Sequence, residues 1–202
     1  MPDFAPVGDL PPDHVHPLSR AAWRWWLAEH HTQASGVWLV RYKKATGKPA
    51  LSTKAITQEA LCWGWVDSLP RKVDAGRSKL YVAPRKPGSN WSALNKRYVA
   101  EAEDAGAMTD AGRAKVEAAK ADGSWSALDD VEALVVPADL ATALDVRPGA
   151  RDHWDGFPPS TRRGILEWIL NAKRPATRER RIEETARLAQ RGKRANQWPR
   201  EG

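Results

Sequence analysis

Leu61-Cys62-Trp63-Gly64-Trp65-Val66-Asp67-Ser68 decides how the chain is read. Ile56, Ala60 and Trp63 fall at helical spacing, so a short helix runs into the stretch. Gly64 breaks it, and Trp65-Val66-Asp67-Ser68 leaves as a strand. Glycine lets the backbone turn sharply and admits a close neighbour. The stretch is therefore a helix-to-strand corner, with Gly64 as the bend and Cys62 packed behind it.

Upstream of the corner, Gly36 ends a turn, and Val37 to Lys44 is β-branched and aromatic and reads as a strand. Ser19 caps a helix that places Trp23, Trp26, Leu27 and His30 on one face. Residues 1–17 hold five prolines and little periodicity, an extended arm. His14 and His16 alternate in that arm without the further ligands a metal site needs. Thr46-Gly47-Lys48-Pro49 is a loop that lacks the spacing of a phosphate-binding P-loop.

Downstream, Lys79 to Ala83 forms a third strand, ended by Pro84 and Pro87. Ser92 caps a helix through Asn95, Tyr98, Val99 and Ala102, closed by Gly106, and Thr109 opens another that stops at Gly123. Residues 124–136 are acidic and carry no assignable element, and a short helix follows Pro137. Pro158-Pro159-Ser160 opens a helix with Ile165, Trp168, Ile169 and Ala172 on one face, and Arg174-Pro175 ends it. Thr177 then caps a helix through Ile182, Ala186 and Ala189. The fold class is α+β: a small antiparallel sheet with packed helices, followed by a helical C-terminal region ending in a helical hairpin. The expected divisions are the arm (1–17), an α+β domain (18–105), a helical and acidic connector (106–155) and the C-terminal hairpin (156–202).

Composition limits the chemistry. A single cysteine in 202 residues excludes an internal disulfide and a four-cysteine zinc site, and fits a reducing compartment. The N-terminus lacks the basic and apolar regions of a signal peptide, and no apolar run is long enough to span a membrane, so a cytoplasmic location is expected. Eleven tryptophans stand against two phenylalanines, more than ligand contacts alone would use, so most belong to the core. The net charge of +7 is blocked: about +7 over residues 71–100, about −8 over 101–155 and about +7 over 156–202. Such blocks attract one another, and they also fit an acidic partner or nucleic acid.

No catalytic set emerges. Cys62 has no adjacent base to lower its pKa, and Asp67 and Ser68 lack a nucleophile-elbow pattern. No catalytic residue, metal or cofactor is assigned. Binding chemistry remains. Arg71, Lys72, Arg77, Lys79, Arg85, Lys86, Lys96 and Arg97 are interleaved with Tyr81, Trp91 and Tyr98. Guanidinium forks match carboxylates and phosphates, and aromatic plates stack. A second set, Arg162, Arg163, Lys173, Thr177, Arg178 and Arg181, gathers cations at a helix start. The helix dipole disfavours them there, which points to a bound anion or acidic surface.

The same stretches carry a resemblance. In the first half it rests on Gly36-Val37-Trp38-Leu39, Glu59 through Ser68, Pro84 through Ser92, and Asn95. In the second it rests on Pro159 through Arg163, Trp168-Ile169, Ala172 through Pro175, Thr177-Arg178 and Arg181-Ile182. Across roughly residues 18–194 the chain resembles the YdeI/OmpD-associated family, also called bacteriocin-protection proteins. Trp63 replaces a common phenylalanine, and Val82-Ala83 a more polar pair. The resemblance implies a bacterial stress or antimicrobial-resistance setting, protection against bacteriocins and cationic antimicrobial peptides, and an outer-membrane porin partner in some bacteria. It implies no agreed catalytic residues.

The expectation is a non-catalytic binding protein for an anionic ligand or an acidic protein surface, without membrane insertion. Arg71 and Arg85 would hold the anion, Trp65 and Trp91 would stack, and Asp67, Ser68, Ser89 and Asn95 would complete and orient the site. The alternatives are a nucleic-acid binder using the basic strand and the hairpin, or an enzyme on a small anionic substrate with Asp67 as base.

Overall fold

A hydroxyl caps each of the first four helices. In the computed structural model, which describes residues 2–197, Ser19, Ser52, Ser92 and Thr109 accept the N–H of Ala22, Ala55, Asn95 and Gly112. They open α1 (Arg20–His30), α2 (Thr53–Cys62), α3 (Ala93–Asp104) and α4 (Asp110–Ala121). Each such cap stabilises its helix by about 1 kcal/mol.

The strands are β1 (His14–Val15), β2 (Val37–Tyr42), β3 (Trp65–Lys72) and β4 (Arg77–Pro84), in the order β1-β2-β4-β3. β2, β4 and β3 pair antiparallel as expected, while β1 adds in parallel, His14 opposite Trp38. The sheet is thus mixed, and its extra strand comes from the stretch read as an extended arm. Two residues flanked by prolines are too short to show a strand's alternation. The arm is tied down by the Ala5 N–H to His16 O and the Leu18 N–H to Asp3 O.

One face of the sheet packs Val37, Leu39, Leu80, Val82 and Trp65 against Trp23 and Leu27 of α1 and Ile56 and Ala60 of α2. Trp23 Nε1 donates to the Ile56 carbonyl. Beside this contact Glu59, 3% exposed, accepts from Arg20 Nε at 2.5 Å and Arg24 Nη1 at 2.8 Å. A buried carboxylate is tolerated when it is paired and hydrogen-bonded, and here the pairing ties α1 to α2.

The corner after α2 is as tight as its sequence implies. Gly64 has φ +75°. The carbonyl of Cys62 accepts both the N–H of Thr109 at 3.2 Å and its hydroxyl at 2.6 Å. A Cβ on Gly112 would lie 2.3 Å from that oxygen, and one on Gly64 would lie 2.7 Å from Lys115 Cγ. α4 therefore packs with backbone nearly touching backbone. Around this contact Leu61, Cys62, Trp91, Tyr98, Val99, Met108 and Val116 form a second buried cluster. Burial pushes the Cys62 thiol above its ordinary value, in keeping with a packed cysteine.

The chain divides into two compact units, Met1–Ser126 and Ala127–Gly202. The stretch 106–155, read as one connector, is shared between them. The first unit takes α4, and the second takes α5 (Asp129–Glu132), α6 (Ala138–Asp145) and α7 (Ala150–Asp155). α5 and α7 are too short for a helical period to show in sequence. The second unit continues with α8 (Pro159–Leu170) and α9 (Pro175–Ala189), each with proline in its first turn. Thr177, read as the cap of α9, is its third residue, and Arg174 holds the cap position without a side-chain bond. Leu140, Leu144, Trp154, Ile165, Ile169 and Ala186 lie at the centre of this unit.

Two glycine-to-alanine substitutions should move in opposite directions under urea denaturation. Gly112→Ala drives a methyl into backbone that cannot yield and should cost roughly 1–3 kcal/mol or more. Gly164 lies inside α8 with nothing within 4 Å of a Cβ, so Gly164→Ala should stabilise by up to about 1 kcal/mol.

Candidate anion-binding site

Pro84 ends β4, and the next residue is seated by the corner: the N–H of Arg85 donates to Gly64 O at 3.0 Å. Its side chain turns inward and is only 4% exposed. The guanidinium carbon lies 3.7 Å from the centroid of the Trp91 ring, and Nη2 donates to the Asn90 carbonyl. Nε and Nη1 are buried and have no hydrogen-bond partner among the described residues. Burial pushes the Arg85 pKa down to about 10, and the negative charge of Asp67 offsets part of that. The group still carries its charge at neutral pH.

The loop after Arg85 folds over it. Gly88 turns with φ +69°, and the Ser89 hydroxyl donates to Lys86 O at 2.5 Å. The Gly88 N–H donates to Asp122 Oδ2 at 3.1 Å, and the Ser124 N–H donates to Asp122 Oδ1 at 2.9 Å. The adjoining Ser124 hydroxyl, its N–H and the Gly88 N–H hold the Asp122 carboxyl below the usual carboxylate range. Trp91 is buried against Trp125, with ring centroids 5.0 Å apart. Between loop and helix lies a cavity of about 50 Å³ lined by Arg85, Ser89, Trp91, Lys115, Asp122 and Ser124. It has room for one small anionic group, facing two free guanidinium donors.

Of the eight residues expected to share a site, Arg85, Ser89 and Trp91 line this cavity, and Asp67 acts on Arg85 through its charge. Asp67 Oδ1 also accepts the Thr57 hydroxyl at 2.9 Å. Trp65 belongs to the core instead, with Nε1 donating to His31 O and its ring edge-on to Trp26. β3 shifts register between Asp67 and Pro70, and Ser68 and Arg71 are exposed along the strand beyond. Asn95 lies in the first turn of α3, its N–H taken by Ser92, and does not line the cavity. Lys115, Asp122 and Ser124 were missed. They come from α4 and its exit, and only the small residues at the start of that helix hinted that another backbone lay close.

The C-terminal set is engaged differently. Arg163 forks onto Glu132 at 2.9 and 3.0 Å and reaches Glu167 at 3.0 Å. Arg178 forks onto Asp139 at 2.7 and 3.0 Å. Arg181 donates to Trp168 O and lies over that ring. Arg162 is half-buried with Nε unpartnered among the described residues, and Lys173 is exposed. The anion that the cations of this turn call for is thus supplied in good part by acidic residues of the same unit, which is the attraction between charge blocks.

Arg178 holds the Asp139 carboxyl below its ordinary value of 3.8. A depressed native pKa stabilises above the unfolded value and ceases to do so as pH falls through the native one. Asp139→Asn should therefore cost roughly 0.5–1 kcal/mol near neutral pH. Its difference from the wild type should shrink towards zero as urea denaturation is repeated from about pH 6 down to about pH 2.

Two family models match. Residues 15–115 match the one described as Domain of unknown function (DUF8412), a span that contains the corner, Arg85 and Trp91. Residues 133–192 match the one described as Bacteriocin-protection, YdeI or OmpD-Associated, a span that contains α6 to α9. No curated protein and no solved structure matches the chain. Among the described residues no helix is long and apolar enough to cross a membrane. Residues 133–192 thus carry a bacteriocin-protection, YdeI or OmpD-associated segment, and through the match over half its length the chain belongs to the DUF8412 family.

Proposed function

We propose that the protein is a non-catalytic binding protein of a bacterial bacteriocin-protection system, and that its N-terminal unit takes up a carboxylate from an acidic protein surface at Arg85. The observation that carries this reading is a buried guanidinium with two donors left over at a small cavity. Leaving buried donors unmade is costly. The Trp91 face and the Asn90 carbonyl offset only part of that cost. A carboxylate would answer donors that remain.

The size of the cavity favours one side-chain carboxylate with the body of the partner outside. Lys86 and Lys115 at the rim, and a net charge of +7, would steer an acidic partner into place. The same charge repels cationic peptides, so protection through an acidic partner fits better than direct capture of a bacteriocin. A single, buried cysteine suits a reducing compartment, and we place the protein in the cytoplasm on that basis.

Titration with a glutamate-rich peptide, followed by tryptophan emission and by thermal unfolding, tests the reading. The wild type should show a saturable change in emission and a rise in Tm. Arg85→Met should remain folded and be between neutral and about 2 kcal/mol more stable, as when a buried charge is replaced by a matching apolar side chain. It should lose the emission change, and Arg85→Lys, which keeps the charge without the fork, should weaken it at least ten-fold. Binding that survives Arg85→Met unchanged, or no saturable binding by the wild type, would exclude this site.

A further inference from the structure

β2 presents Val37, Leu39 and Arg41 in one row, since alternate residues share a face. The first two are buried against the helices. The third place in that apolar row is held by an arginine. Its guanidinium reaches across to the start of α2, donating from Nη1 to Thr53 Oγ1 at 2.8 Å and to Leu51 O at 3.4 Å, and from Nε to Ser78 Oγ at 3.4 Å. All three acceptors are neutral.

A one-turn 3-10 helix (Lys44–Thr46) and a left-handed Gly47 then carry the chain outward before it returns to α2. Between them opens a basin of about 670 Å³ lined by Arg41, Tyr42, Lys43, Lys44, Lys48 and Ser52, among others. Lys43 Nζ is fixed on the carbonyls of Asp74 and Ala75, and Lys48 Nζ lies 4.9 Å from the centroid of the Tyr42 ring. The lining includes four cations and no carboxylate, and among the described residues none of the four is paired with a carboxylate. Ser52 caps the ten-residue α2, whose first turn holds no acidic residue to answer the positive end of the helix.

We infer that this basin is a second, separate anion site, and that it takes a small ligand carrying two or more phosphate groups, such as pyrophosphate or a nucleotide. A terminal phosphate carries about two charges at neutral pH and each further phosphate in the chain adds about one, so a di- or triphosphate brings about three to four charges against the four cations. Phosphates sit well at helix N-termini, where backbone donors and the dipole converge. The basin falls within the usual volume of small-ligand sites, about 300–1,000 Å³. Its concavity suits one compact ligand rather than a strand running across a surface.

The spacing of Gly47 and Lys48 does not make a P-loop. The cations are gathered by a strand end, a 3-10 turn and a helix start instead. The site shares no lining residue with the Arg85 cavity, so the two stand or fall separately.

Pyrophosphate and ATP, titrated into the isotope-labelled full chain at low salt and followed by amide NMR, provide the test. Saturable shifts are expected around Lys43, Lys48 and Ser52. Lys44→Ala/Lys48→Ala, which alters only exposed side chains, should weaken binding at least ten-fold, and so should Arg41→Met. Arg85→Met should leave it unchanged. Equal affinity for both probes would identify a free phosphoryl ligand, and a ten-fold preference for ATP a nucleotide; either upholds the site. No saturable shift with either probe, shifts that both basin variants retain, or binding confined to an oligonucleotide would overturn it.

Discussion

Thr109 donates twice to the carbonyl of Cys62, from its N–H and from its hydroxyl, and the first unit is assembled around that joint. The acceptor lies in the last turn of α2 and the donor opens α4, so one residue ends one helix and starts another. The absence of a side chain at Gly112 lets the two backbones close, and Gly64 bends the chain into β3 beneath them. Once α4 is fixed there, its later turns face the end of β4. The Gly64 carbonyl holds Arg85, Asp122 holds Gly88, and Lys115 faces the cavity. The candidate site is thus a by-product of helix packing in its location and a product of its side chains in its chemistry.

Those side chains are at odds with the packing that positions them. A cation with two unanswered donors is an expensive occupant of an interior, and a stacked tryptophan with one carbonyl acceptor compensates only partly. Glu59 gives the contrast within the same unit. It is as deeply buried as Arg85, yet both of its oxygens are met by arginines whose other faces remain in water. One buried charge is complete and ties α1 to α2, and the other is incomplete and borders a cavity.

The extent to which this was legible in sequence follows from the range of each interaction. The caps Ser19, Ser92 and Thr109, the glycine bend and the antiparallel strands are written within a few residues and appear in the fold where the sequence put them, whereas the proline at the start of α9 takes that helix two residues further back than the expected cap, Thr177. β1 is two residues long, so its pairing depends on β2 and not on any pattern of its own. Arg85 and Trp91 stood out because they are close in the chain and chemically specific. Trp65 looked like a site residue for the same reason, but a tryptophan beside a glycine bend also fills the space the bend leaves, and there the core claimed it. Lys115, Asp122 and Ser124 reach the cavity only through the fold of α4. At the C-terminus the blocks of opposite charge implied internal pairing, and Glu132 with Arg163 and Asp139 with Arg178 are its form.

The strand order leaves β3 outermost in the sheet. Its course is broken by the register shift after Asp67, Pro70 removes one N–H from the strand, and Arg71 and Lys72 follow with exposed charges. A sheet grows by offering a neighbour an unbroken row of donors and acceptors, and irregularity, proline and charge interrupt it. Leu69, 52% exposed, therefore protrudes from an edge that a second chain cannot zip onto. Arg71, set apart from the cavity, thus belongs with Pro70 and Lys72 to the features that keep this edge from pairing further.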